Sequence, residues 1–267
     1  MDAPTRRGPV AATAAGAGVG TLGGLLGLGG AEFRLPLLVA VFNYPLRRAV
    51  PINLAVSFVA VVVAAVVRWS FAKQAPIPGT ALVIVCMMAG GMLGAGLGAR
   101  WLTSISDERL HTAVRFLLIV IGALLIIEAA IPWTSSGVPV GSVGQGVTAL
   151  GAGVLIGAVS TLLGVAGGEM IIPTLVLLFG VPIKAAGTTS LVISIPTMLV
   201  GLTRHHARGA YQGVADVRRV IVPMGLGTVV GSAVGGFLIA YAPAGAIKVL
   251  LGLVLIVSAL RVFRVRA

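Results

Sequence analysis

The decapeptide Gly27 to Pro36, Gly-Leu-Gly-Gly-Ala-Glu-Phe-Arg-Leu-Pro, returns at Gly164 to Pro173 as Gly-Val-Ala-Gly-Gly-Glu-Met-Ile-Ile-Pro, an offset of 169 − 32 = 137 positions. The same offset, without a gap, pairs Gly16 with Gly153, Gly20 with Gly157, Phe42 with Phe179, Pro45 with Pro182, Ala49 with Ala186 and Ser57 with Ser194. It also lays Gly90, Gly94 and Gly98 on Gly227, Gly231 and Gly235. Apolar segments match one another by chance, but chance does not align two glutamates, two prolines and a three-glycine ladder at one offset. The chain is a whole-length duplication, and its fold must place each element twice.

Composition decides the solvent. With 58% apolar and 10% charged residues and a mean hydropathy of +1.09, the chain is far from a soluble domain, where about a quarter of residues are charged. Its apolar stretches lack period-two alternation and outrun the roughly ten residues of a barrel strand. The expected class is therefore all-α polytopic, spanning the lipid bilayer. The single cysteine, Cys86, excludes an intrachain disulfide and a Cys-rich metal site. The net charge of +12 lies between and beyond apolar spans, so it reads as topology and not as a nucleic-acid footprint.

Apolar segments fall at about 9–31, 33–43, 51–69, 79–102 and 110–131, then 146–166, 168–180, 188–204, 217–241 and 244–263. The second of each five is shorter than the roughly 20 residues of a span. Each is expected to be a half-helix or a broken span, with Pro36 and Pro173 in its first turn, where proline is tolerated. The division is 1–131, a linker 132–146 and 147–267. An uncharged linker rich in Pro, Gly and Ser fits an external connection.

Taking the N-terminus as cytoplasmic with an odd number of crossings per half, 14 arginines fall inside. Only Arg68, Lys73, Lys184 and Lys248 fall outside, and Arg34 lies within the first short segment. This positive-inside bias puts both termini in the cytoplasm. Odd crossings make the halves run oppositely, an inverted repeat of eight to ten membrane segments, as in many secondary transporters. Five spans per half and three spans plus a re-entrant hairpin satisfy the charges equally.

At each glycine-rich break a short helix presents free N–H groups and the positive end of its dipole at membrane depth. Gly29, Gly30, Gly167 and Gly168 let backbone approach a ligand there, and such a site suits a small anion. Glu32 and Glu169 would compete with that anion when ionised. They are therefore candidates for carrying a coupling proton; the plainer alternative is that each stabilises its helix N-terminus.

Thr188, Thr189 and Ser190, at the start of the second half's third segment, and Asn53 at the matching place in the first, are candidate substrate-binding groups. Ser57 and Ser194 read as helix packing or as further ligands. Arg34 is either the partner of Glu32 or an anion ligand, and its mate Ile171 makes that role asymmetric. His205 and His206 form a basic cluster at a membrane edge, or hold a metal. No catalytic group, metal site or cofactor is assigned: a Walker loop is absent and no midplane histidine serves Ser57, Ser160 or Ser194 as a base.

The motif Gly-x-x-Gly-Gly-Glu-x-x-x-Pro, followed by Ile183-Lys-Ala-Ala-Gly-Thr-Thr-Ser-Leu191, resembles the TauE/SafE family of sulfite and organosulfonate exporters over essentially the full length. Gly167, Gly168, Pro173, Gly187, Thr188, Ser190 and Leu191 carry the resemblance. The first half departs from it, with Ala31 for a motif glycine and Pro51-Ile-Asn-Leu54 for Gly-Thr-Ser-Leu. The resemblance implies outward transport of a small sulfur-containing anion across a bacterial inner membrane. A carrier of another small carboxylate and a non-transporting accessory subunit are the competing readings, and a homodimer is an open partner.

Overall fold

The computed structural model describes residues 8–73, 79–101, 107–130, 143–163, 167–207, 209, 211 and 220–262. The expected linker therefore lies outside the described residues up to residue 142, as do Arg6 and Arg7. The described residues form ten α-helices: α1 (Pro9–Leu26), α2 (Ala31–Ala40), α3 (Leu46–Ser70), α4 (Ala81–Trp101), α5 (Asp107–Ala130), α6 (Val143–Leu163), α7 (Gly168–Leu177), α8 (Ile183–Ala207), α9 (Val222–Leu238) and α10 (Ala244–Val262). Windows within α1, α3, α6 and α8 are long and apolar enough to cross a bilayer. The 10-residue helices α2 and α7 reach only about 15 Å, half the hydrocarbon core.

Against the pattern of a soluble protein, many polar residues are buried among the apolar core and large apolar side chains face outward. Arg34, Asn53, Ser57, Arg68, Thr188, Thr189, Ser190, Thr228 and Ser232 are buried, whereas Leu155, Val85, Leu226 and Val230 face outward. That inversion suits a lipid surround, where lone polar groups must find partners within the bundle.

Helix pairing repeats between the halves. The most extensive contacts join α1 to α9 and α4 to α6, which exchange when residue i is replaced by i + 137. Pairs α3–α9 and α4–α8 exchange likewise, as do α2–α3 and α7–α8; α3–α8 and α5–α10 map onto themselves. The glycine ladders make the two main pairings. A Cβ on Gly90 or Gly94 would overlap the α6 backbone at Leu150 or Val154, and one on Gly227, Gly231 or Gly235 the α1 backbone at Thr13, Ala17 or Thr21. Small residues bring the backbones together where no hydrophobic drive exists between helices. Lys248 of α10 donates to Glu128 of α5 at 2.6 Å, so this ion pair joins two helices.

Three expected boundaries shift. The first span ends at Leu26, not residue 31, because Gly27 takes a left-handed φ of 85° and its N–H, with that of Leu28, returns to the Gly23 carbonyl at 2.9 Å. The third segments start five residues earlier than hydropathy indicates, at Leu46 and Ile183, just after Pro45 and Pro182. Pro36 and Pro173 sit at the sixth position of their helices, not in the first turn. Lacking an N–H, each leaves the carbonyl of the glutamate four residues earlier without its helical donor.

Candidate functional site

The two glycine-rich turns meet. Gly29 and Gly30 take φ of 80° and 77°, and Gly167 takes 76°; an L side chain pays strain there, and glycine does not. Gly30 and Gly167 are the N-caps of α2 and α7, and Glu32 and Glu169 lie in the first turns. A Cβ on Gly168 would stand 3.1 Å from the Leu28 Cα, 3.2 Å from the Ser190 Oγ and 3.4 Å from the Gly27 carbonyl oxygen. The breaks of opposite halves are thus in backbone contact, beside a hydroxyl of α8.

Around this junction several polar atoms are buried without a hydrogen-bond partner among the described residues: both Glu32 carboxylate oxygens, Thr189 Oγ1 and Ser190 Oγ. Thr188 instead donates to the Lys184 carbonyl of its own helix at 3.3 Å. Since α8 starts at Ile183, these three residues lie in its second turn and do not open the helix as expected. Glu169 is 7% exposed, closely matching Glu32 at 4%.

Arg68 is the residue that sequence reasoning missed. Sorted by sequence as an outer-side charge, it is fully buried at the junction. A Cβ on Gly187 would lie 2.8 Å from both Arg68 Nη atoms, and one on Gly27 would overlap Nη1. Nη2 donates to the Lys184 carbonyl at 3.2 Å, while Nε and Nη1 find no acceptor among the described residues. The available signal was periodic: Asn53, Ser57, Val61, Ala64 and Arg68 share one face of α3, and all are buried.

Arg34 lies in a second polar cluster. Its Nη1 donates to Ser57 Oγ and its Nη2 to Thr228 Oγ1 at 3.4 Å; Thr228 in turn donates to the Gly16 carbonyl at 3.3 Å. Asn53 Nδ2 donates to the Ala31 carbonyl at 3.0 Å, tying α3 to the start of α2. Among the described residues neither Arg34 nor Arg68 forms a salt bridge, and the hydrogen bonds of the Arg34 guanidinium go to hydroxyls and not to Glu32. Two guanidinium groups are therefore held inside the bundle by neutral oxygens. Away from this centre, His206 stacks on Tyr211 with ring centroids 6.4 Å apart, and Arg204 donates to the Ala95 and Gly96 carbonyls near the end of α4.

The arrangement offers an oxyanion several donors: Arg68 nitrogens, α8 hydroxyls and the N-terminal amides of two short helices. Comparison with known proteins agrees in kind. The family model described as sulfite exporter TauE/SafE matches residues 2–125 and 149–267, one block in each half. No curated protein and no solved structure matches the chain. With both halves covered, this multi-pass membrane protein belongs to the TauE/SafE family.

Proposed function

We propose that the chain is a secondary carrier that moves sulfite or a small organosulfonate outward across the bacterial inner membrane, with Glu32 and Glu169 carrying a coupling proton. The observation that carries this reading is the buried Arg68 guanidinium, with two nitrogens free of acceptors, where the glycine turns of opposite halves meet. A buried charge without a counterion costs several kcal/mol, of the order seen when one partner of a buried ion pair is removed. A transient anionic ligand supplies the missing partner. The description of the family as sulfite exporters supports a sulfur oxyanion.

Sulfite presents three oxygens to these donors. Arg68 addresses one or two of them, Ser190 and Thr189 donate through hydroxyls, and the first amides of α2 and α7 add partial positive charge. Ionised carboxylates at Glu32 and Glu169 compete with the substrate for the same donors. Anion occupancy and glutamate protonation are then thermodynamically linked, each changing the affinity for the other. The two short helices, related by the repeat, let the junction open alternately to either side. With Arg68 removed from the outer loops, the sorted basic residues stand at 14 inside against 4 − 1 = 3 outside, which favours cytoplasmic termini.

The test is uptake of radiolabelled sulfite and sulfoacetate into proteoliposomes under an imposed pH gradient, comparing wild type with Glu32→Gln and Glu169→Gln. Gradient-driven flux in the wild type and its loss in the variants is expected. Undiminished gradient dependence in both variants would remove the glutamates from coupling.

A further inference from the structure

The ends of α3 and α9 and the start of α8 converge on Arg68. Its stem lies along α9, where a Cβ on Gly236 would stand 3.4 Å from the Arg68 Cγ. Its Nη2 donates to the Lys184 carbonyl in the first turn of α8 at 3.2 Å. The Lys184 side chain then crosses back to α9: its Nζ donates to the Ala240 carbonyl at 3.2 Å, four residues beyond Gly236 and just past the end of the helix at Leu238. Arg68 is fully buried, whereas Lys184 is partly exposed. Within this cluster the ammonium is the charge that reaches water.

Local electrostatics disfavour a lysine at this place. Lys184 is the second residue of α8, where the positive end of the helix dipole repels a cation. Arg68 adds a second positive charge against its backbone, and among the described residues neither pairs with a carboxylate. The ammonium has three donors, and a backbone carbonyl at the negative end of α9 takes one of them. That negative end would oppose an anion leaving Arg68 for the water, and the ammonium seated on it offsets the barrier. The repeat keeps a cation at this register, since 184 − 137 = 47 and Arg47 is the second residue of α3.

We propose that Lys184 is a second station for the anion: the oxyanion held at Arg68 passes to the Lys184 ammonium, which gives up the Ala240 carbonyl to receive it. The proposal rests on the carrier reading above and names the step by which the substrate leaves the buried site. A hydrogen bond from an ammonium to an oxyanion is charge-assisted on both sides, and one to a carbonyl on one side only, so the anion displaces the carbonyl. The exchange unties the start of α8 from the end of α9. Arrival of the anion and opening of this end of the bundle are then one event. A purely structural strap has the opposite consequence, because its removal would loosen the mouth and raise flux.

The experiment is acetylation of the purified full chain in detergent, read lysine by lysine by mass spectrometry, in sodium sulfoacetate against sodium chloride of equal ionic strength. Sulfoacetate counterflow is measured on the same preparation after reconstitution. Sulfoacetate is expected to slow acetylation of Lys184 about tenfold, the equivalent of one charge-assisted hydrogen bond, and to leave the exposed Lys73 unchanged. In Arg68→Gln the protection of Lys184 should be largely lost. Lys184→Met should slow counterflow about tenfold, by the same arithmetic applied to the exit step, and Lys184→Arg should keep most of it. Wild-type counterflow without protection of Lys184, or undiminished or faster counterflow in Lys184→Met, would overturn the proposal and leave the carrier reading standing. Equal protection in Arg68→Gln would overturn it too, since the lysine would then bind anions without Arg68. Absence of both counterflow and protection in the wild type would remove it together with sulfoacetate transport.

Discussion

Gly168 of one half lies against Leu28 of the other, so closely that a methyl group on Gly168 would stand 3.1 Å from the Leu28 Cα. The two halves thus touch through the backbone of their glycine turns, and those turns start the two helices too short to cross the membrane. Replacing Gly168 with valine must push the turns apart, because backbone on the Leu28 side cannot yield as a flexible side chain would. Gly168→Val is expected to cut sulfite flux at least tenfold at matched protein levels in the membrane. Gly18, with open space around it, supplies the control, and Gly18→Ala should transport as wild type.

Arg68 acts by charge and by geometry, so its substitutions should separate the two. Hydrogen bonds to a charged group contribute roughly 1.5–3 kcal/mol each, and losing one of them predicts a rise of about 10- to 150-fold in the Kd for sulfite in Arg68→Gln, and losing two a larger one. Arg68→Lys keeps the charge without the planar fork and should fall between. Isothermal calorimetry on purified protein reads both, and equal affinity in all three proteins would take Arg68 out of the site.

Glu32 should show the trade between stability and function that buried, unpartnered groups impose. Both its carboxylate oxygens are buried without hydrogen-bond partners among the described residues, so Glu32→Gln keeps the shape of the side chain and removes an ionisable group that no hydrogen bond holds. The variant should unfold at the same temperature as the wild type or higher while losing coupling. A drop of more than about 5 °C, which for a chain of this size reports more than ~1 kcal/mol, would reassign the residue to structure.

Arg34 is the opposite case. Its loss takes the guanidinium donors from the Ser57 and Thr228 oxygens and leaves a cavity, so Arg34→Ala should cost about 2–5 kcal/mol, the range for truncating a large buried side chain. The penalty should be smaller in a Ser57→Ala, Thr228→Val background, where no acceptor is left unpaired. A double-mutant cycle by thermal unfolding measures the difference, and strict additivity would mean that the two hydrogen bonds are energetically silent.

The glycine ladders set the distance between α1 and α9 and between α4 and α6. A side chain on Gly231 or Gly94 would overlap the facing backbone, so Gly231→Leu and Gly94→Leu should each lower the yield of folded, monodisperse protein severely. Size-exclusion profiles in detergent check this, and normal profiles for both would mean that these pairings tolerate separation.

Much of this was legible because the duplication supplies an internal comparison. The offset of 137 located both breaks, both glutamates and both ladders, since glycine and proline mark backbone geometry directly. The starts of α3 and α8 were hidden because Leu46 to Val50 and Ile183 to Gly187 lower the local hydropathy with Arg47, Arg48 and Lys184, while the helical backbone responds to Pro45 and Pro182. The partners of Arg34 were hidden for another reason: Thr228 is 228 − 34 = 194 positions away, and no local pattern reports a contact between α2 and α9. Arg68 was misplaced because proximity to a loop outweighed periodicity, although its spacing from Asn53 and Ser57 put it on the buried face of α3.

Counterflow tests the central claim most directly, since it needs a substrate site and alternating access but no coupling ion. Proteoliposomes loaded with unlabelled sulfite and diluted into trace labelled sulfite should accumulate label transiently with wild-type protein and fail to do so with Arg68→Gln. Absence of counterflow in the wild type, for sulfoacetate as well as sulfite, or equal counterflow in the variant, would contradict a sulfur-anion carrier centred on Arg68.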